Sequence, residues 1–217
     1  MIGMTQPESL AELLNGRRSA IDATLPAAGF VIGWLVTGRS IWAGAAIAVA
    51  CALAVCWWRL RHGDKPRAVL IGLLGVCVAA TIALVTGNAE DFFLLQLLSN
   101  AASALVWVIS IVLRWPLLGV IVGGVLGQKT RWRRDPALLR SYSLASWVWV
   151  PQYLIRLAVF VPLYEAGQVV ALGAARIVLT WPLIAACLAV SWWVIRRTLP
   201  PGHPGLRHPV TDAVAER

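Results

Sequence analysis

From Ile21 onward the chain alternates long apolar runs with short polar joints. A bilayer core of ~30 Å is crossed by about 20 residues of helix. Six runs approach that length, at about residues 21–37, 41–58, 68–86, 92–113, 142–163 and 169–195. The first is short, carries Asp22 and Pro26 near its start, and is separated from the second by Gly38, Arg39 and Ser40 alone. A further apolar stretch, 116–126, is rich in glycine but spans only 11 residues. At about 1.5 Å per residue it cannot cross, so the pattern predicts an interfacial or re-entrant element. The expected architecture is all-α and polytopic, with six transmembrane helices and that element over residues 21–197. A polar N-terminal segment, 1–20, and a Pro/Gly-rich disordered tail, 198–217, flank it. The first run lacks a small-residue cleavage pattern and is expected to remain as a span.

Composition supports the membrane reading. Of the 217 residues 59% are apolar and 13% charged, and the mean hydropathy is +0.74. Soluble domains have about 45–50% apolar and roughly 25% charged residues, so this chain has too little polar surface to clothe a soluble globule. Its 12 tryptophans suit a chain that meets two membrane–water interfaces. Cys51, Cys56, Cys77 and Cys187 all fall inside apolar runs and read as small packing residues, without disulfide or metal-ligand spacing.

Charge then orients the spans. With the N-terminus inside, 16 of the 19 Lys and Arg residues fall on the cytoplasmic side, as the positive-inside rule requires. Both termini are then cytoplasmic, in a multi-pass protein of the cell membrane. The outer joints hold Arg39 and the acidic residues Glu90, Asp91 and Glu165. The densest cationic stretch is "QKTRWRRDPALLRSYSLASW", residues 128–147, with Lys129, Arg131, Arg133, Arg134 and Arg140 interleaved with Trp132 and Tyr142. Taken alone it resembles a nucleic-acid patch, but it runs directly into an apolar span. Its expected partner is the anionic headgroup layer of the bilayer, at roughly 1 kcal/mol per cation near the surface, and no nucleic acid. Asp135-Pro136 supplies a helix cap and first-turn proline, and Trp132 and Tyr142 are placed in the aromatic belt. "LRWPL" (113–117) and "LTWPL" (179–183), like "CWWRLR" (56–61) and "SWWVIRR" (191–197), read as common interface devices rather than a duplication.

Polar residues inside the spans carry the functional signal, because buried polarity is expensive in lipid. Gln96, Asn100, Ser103, Trp107 and Ser110 recur at steps of 4, 3, 4 and 3 and share one helical face. That face reads first as helix–helix glue and second as the wall of a hydrophilic pathway. Arg156 sits mid-span, where a charge costs ~2.5–3.5 kcal/mol on insertion scales; Gln152 lies one turn earlier on the same face, and Pro151 frees the carbonyl of Trp147. Arg176 lies nearer the outer end of its span. Glu165, Asp91 and Glu90 are the candidate counter-charges, so an outer arginine–carboxylate cluster is expected as a structural lock, or as a site for an anionic ligand or headgroup. Asp22 reads as a helix-start carboxylate beside Arg17 and Arg18, with a proton relay as the alternative. "GLLG" (72–75) and "GGVLG" (123–127) read as close-packing glycines, since neither carries a phosphate-loop lysine. His62, His203 and His208 lie in polar loops or the tail. No catalytic residue, metal site or cofactor is expected, and the chain reads as non-enzymatic.

The segments "NGRRSAIDATLP", "TGNAEDFFL", "WRRDPALLRSYSLASWVW" and "LAVFVPLY" resemble an actinobacterial membrane family known as domain of unknown function 3159, over about residues 12–198. More distantly, the layout is similar to the bacterial intracellular septation protein A family: a short first span with Asp and Pro, an outer acidic turn, and a "WRR…W" entry to the penultimate span. The first resemblance implies no activity. The second implies a role in cell-envelope maintenance through contacts with other inner-membrane proteins. The expected function is thus support of envelope integrity or of a membrane complex, with other inner-membrane proteins or as a homo-oligomer. The alternative is a small ion or solute transporter component using the Gln96–Asn100–Ser103 face and Arg156. In a cysteine-free background, single cysteines placed in 116–126 should resist a membrane-impermeant maleimide added outside intact cells; outside labelling would overturn the six-span arrangement.

Overall fold

The computed structural model describes residues 16–63, 66–128 and 130–200, without the side chains of 16–23 and of Ala68. The side chain of Asp22, the whole of Lys129 and the 201–217 tail therefore lie outside the described residues, as does most of the 1–20 segment. Among the described residues 87% are helical and none is in a strand. The helices are α1 (Gly16–Val36), α2 (Ile41–Arg61), α3 (Pro66–Thr86), α4 (Leu94–Val112), α5 (Leu117–Val125), α6 (Pro136–Trp147), α7 (Trp149–Glu165) and α8 (Val169–Thr198). Short 3₁₀ turns, Ala89–Phe93 and Arg131–Arg134, precede α4 and α6. Five stretches are long and apolar enough to cross a membrane: Ile41–Arg61, Val69–Thr86, Ala89–Val112, Pro136–Glu165 and Val169–Thr198. The protein is a multi-pass membrane protein. Two compact units divide the chain, Met1–Leu95 with Leu163–Ile177, and Gln96–Pro162 with Val178–Arg217.

In the first unit α1 and α2 form an antiparallel hairpin held by missing side chains. A Cβ on Gly33 would lie 3.2 Å from both the Ala43 carbonyl oxygen and the Gly44 Cα, and one on Gly29 would lie 2.9 Å from Cys51 Sγ. Gly44 in turn admits the Phe30 backbone, whose carbonyl oxygen would be 3.0 Å from a Cβ there. Gly29 and Gly33 make a GxxxG pair, the spacing that lets helix backbones touch in lipid. The connecting turn places Gly38 and Arg39 at φ 68° and 69°. The left-handed region costs a non-glycine residue about 1–2 kcal/mol, offset here by Arg39 N–H donating to Trp34 O at 2.7 Å and by the guanidinium 5.4 Å from the Trp34 ring. Ser40 Oγ then accepts from Ala43 N and caps α2. Phe30 is fully buried, stacked on Phe92 at 4.1 Å and edge-on to Phe93. The start of α8 closes the cluster, Val31 lying where a Gly173 side chain would be.

The second unit contains the short glycine-rich helix. Arg114 takes φ 53° at the end of α4, and Trp115 N–H bonds back to Ser110 O at 2.8 Å, a left-handed C-cap without glycine. The chain turns into α5, whose nine residues reach about 14 Å. Gly127 at φ 66° ends α5 in the same way, with Gln128 N–H bonding to Gly123 O at 2.8 Å. Asp135 Oδ1 then accepts from Ala137 N and Leu138 N, and Pro136 opens α6, as the Asp-Pro signal predicts.

Three expectations change. The span expected at 142–163 begins earlier, at Pro136, and breaks at Val148, so that it comprises α6 and α7. Pro151 explains the break: it lacks an amide hydrogen and falls in the first turn of α7, where none is needed. Trp132 and Tyr142 leave the aromatic belt for the core, at 1% and 0% exposure, packed edge to face at 5.6 Å. Gly119 makes this possible, since a Cβ there would lie 2.7 Å from the Trp132 ring. The close-packing glycines are therefore Gly29, Gly33, Gly44, Gly119 and Gly173, whereas Gly72, Gly75 and Gly124 have nothing within 4 Å.

Gly33→Ala should destabilise the protein by about 1–3 kcal/mol, because the backbone of α2 must move. Gly75→Ala should be neutral or gain up to about 1 kcal/mol of helix propensity. Unfolding the purified protein by titration with a denaturing detergent separates the two, and equal losses would contradict the packing described.

Candidate functional site

Two polar constellations stand out, one in each unit. In the first unit Asp91 is buried in the 3₁₀ turn before α4. The Tyr164 hydroxyl donates to its Oδ1, and Asn88 Nδ2 donates to Oδ2 at 3.3 Å. The bonds tie the joint before α4 to the end of α7. Both of these donors to the carboxylate are neutral. Glu90 is half-buried and Glu165 exposed, while Arg176 is half-buried on α8.

In the second unit a polar seam joins α6 and α7 to α8. It starts with the Ser141 and Thr198 hydroxyls, 2.8 Å apart. Ser191 Oγ donates to Ala145 O at 3.3 Å and accepts from Trp149 Nε1 at 3.1 Å. Next, the Cys187 thiol lies 3.5 Å from Val148 O and 3.8 Å from Gln152 Oε1. Last, Arg156 Nη2 donates to Thr180 O at 3.4 Å. Residue numbers rise along α6 and α7 as they fall along α8, so the helices run antiparallel. The carbonyl that meets Arg156 lies two residues before Pro182, inside α8. Arg156 is half-buried and its Nε, itself buried, has no hydrogen-bond partner. The expected carboxylate partner is thus replaced by a backbone carbonyl.

The α4 face lies in the same unit. Asn100, Ala104, Trp107 and Ser110 are buried, with Gln96 and Ser103 half-buried beside them. Gln96 Nε2 donates to Asn100 Oδ1 at 3.3 Å, leaving the buried Asn100 Nδ2 without an acceptor. Trp107 stacks on Trp149 with ring centroids 5.2 Å apart and planes 4° from parallel. Ser110 Oγ donates to Trp107 O at 2.7 Å and accepts from Leu117 N at 3.4 Å, fastening the start of α5 to α4. Tyr142 OH and Ser146 Oγ are buried without a hydrogen-bond partner.

The cations form an outer tier. Arg131, Arg134 and Arg140 are exposed, and Arg133 lies 3.8 Å from the Trp115 ring, bridging the two ends of the α5 excursion. Arg61 covers Trp57, and Arg196 and Arg197 cover Trp192 and Trp193, each one helical turn apart. "CWWRLR" and "SWWVIRR" are therefore one local device used twice. "LRWPL" forms the turn into α5 whereas "LTWPL" lies inside α8, so the shared letters adopt different structures. Among the described residues no three His, Cys, Asp or Glu side chains gather as metal ligands.

Sequence reasoning overlooked Tyr164, Ser141, Ser191 and Thr198, and read Cys187 as a packing residue alone. Four α8 residues, Thr180, Cys187, Ser191 and Thr198, recur at steps of seven, four and seven and lie on one face; that period was there to be read. Tyr164 carried no such signal. Tyr164→Phe removes a donor from a buried carboxylate and should cost about 1–3 kcal/mol, whereas exposed Glu165→Gln should change stability by less than about 0.5 kcal/mol. Thermal unfolding in a nonionic detergent measures both.

Neither curated proteins nor solved structures give a match to this chain. One family does, over residues 14–202, and it takes in the Asp91 knot, the seam and the basic turn alike. The chain therefore belongs to the family described as protein of unknown function (DUF3159).

Proposed function

We propose that the protein is a non-enzymatic, six-span component of the cytoplasmic membrane, both termini inside, that supports the cell envelope or a membrane complex by holding other membrane proteins or copies of itself. The observation that carries this reading is the bonding of the seam. Its hydroxyls, thiol and guanidinium bond to one another and to backbone carbonyls across helices, an arrangement that fixes helices in lipid. The sixth span in this reading, about residues 21–37, lies in α1, of which Thr24–Val36 is a short apolar helix. The exposed arginines of the 131–140 segment face anionic headgroups on the cytoplasmic side. The distant resemblance to the septation protein A family agrees with an envelope role by analogy alone.

A second reading, a small transporter component, draws on Asn100 and Arg156, whose unpaired donors lie inside the second unit. Two experiments separate them. Crosslinking in native membranes followed by mass spectrometry should recover a membrane protein partner or a homo-oligomer; recovery of the isolated chain alone counts against the first reading. In proteoliposomes, ion or solute flux lost in correctly inserted Asn100→Leu and Arg156→Leu would favour the second. An absence of flux in the wild type removes it.

A further inference from the structure

Asn100 and Arg156 stand at the same depth. In the second unit the late part of α4 (Trp107, Val108, Ile111) packs with the early part of α6 (Leu138, Tyr142, Ala145) in one apolar cluster. Trp107 stacks on Trp149, further along the same broken helix. Just before α4 begins, Asp91 accepts from Tyr164 near the end of α7, so numbers rise along α4 as they fall along α7, and the two helices are antiparallel. Asn100 lies seven residues before Trp107, and Arg156 lies seven after Trp149. Two helical turns in opposite chain directions lead to one level, about 10 Å from the tryptophan stack. Seven residues also return each side chain to nearly the same helical face, so both belong to the face that carries the stack.

The two groups share a deficit. Asn100 is 2% exposed and its Oδ1 is used by Gln96, while its Nδ2 has no acceptor. Arg156 uses Nη2 toward α8, while its buried Nε has no acceptor. Both unmet atoms are N–H donors, and no acceptor among the described residues reaches either. A buried donor without a partner costs free energy in a protein interior, and more where lipid surrounds the helices. Among the described residues no carboxylate pairs with Arg156, whose guanidinium meets the Thr180 carbonyl and lies 6.0 Å from the Tyr153 ring centroid. Asn100 lies midway along the apolar stretch Ala89–Val112, out of reach of lipid headgroups. A ligand serving both atoms would accept two hydrogen bonds and carry negative charge.

We propose that Asn100 Nδ2 and Arg156 Nε form an intramembrane binding site for a small monovalent anion, such as a halide, nitrate or short carboxylate. The site is independent of the scaffolding role: an anion held there locks α4 to α7 whether or not it ever crosses. The amide sets position and the guanidinium supplies the charge. Removing the amide should weaken binding, and removing the charge should abolish it.

The test uses the full chain, purified in a nonionic detergent, with chloride as the probe. Chloride-35 NMR line broadening detects weak exchange of the ion with protein. Wild type should show a saturable excess linewidth that nitrate and acetate abolish and that uncharged acetamide leaves intact. Asn100→Ala should raise the half-saturating chloride concentration about tenfold or more, and Arg156→Gln should lose the saturable component. The exposed Arg134→Gln should behave as wild type, separating this site from the surface cations. If Arg156→Gln does not fold, Asn100→Ala decides, since it keeps the charge and deletes one small buried donor. No saturable component in wild type, displacement by acetamide as effective as by acetate, or unchanged binding in Asn100→Ala overturns the proposal.

Discussion

Inside a bilayer a polar atom must find its partner within the protein, because no water stands in for a lost hydrogen bond. That constraint accounts for most of the polar architecture of this chain. Ser110 serves the α4 backbone and the first amide of α5 at once. Ser191 serves α6 and Trp149 together, and Asp91 takes two neutral donors from different segments. The bonds of Ser191 to Ala145 and Trp149, and of Tyr164 to Asp91, join pieces that lie far apart in the chain. Polarity is what specifies the neighbours, since apolar faces are nearly interchangeable against lipid.

Close approach is the second organising theme, and it works by absence. Gly29, Gly33 and Gly44 bring α1 and α2 into backbone contact, and Gly119 makes room for an indole. Small residues matter here because lipid tails compete on equal terms with any bulky apolar side chain. Dispersion rewards only surfaces that fit more closely than acyl chains do. The α1–α2 hairpin, joined by a turn with two consecutive left-handed residues, is the clearest instance. Its turn is strained, and the contact that follows offsets the strain.

The long helices were legible because 20-residue apolar runs leave few alternatives. So was the short α5, since nine residues cannot cross. The Asp135 cap was legible as well, since an Asp-Pro pair before a helix has one physical use. What the sequence hid depends on partners distant along the chain. Trp132 sits among arginines and reads as interfacial; only Gly119, on another helix, turns it inward. Gly72 and Gly75 look like packing glycines, yet no side chain lies near them. Arg156 called for a carboxylate, and a carbonyl near Pro182 answered instead. Periodicity reports which face is polar; it does not report what that face meets.

Gly119 and Trp132 share one volume, and this has an evolutionary consequence. A side chain at position 119 can be accommodated only if the residue at 132 shrinks, and a smaller residue at 132 leaves a hole that a larger 119 would fill. The two positions are thirteen residues apart in the chain, yet selection sees them as a single locus. Neither can drift alone without either a clash or a void.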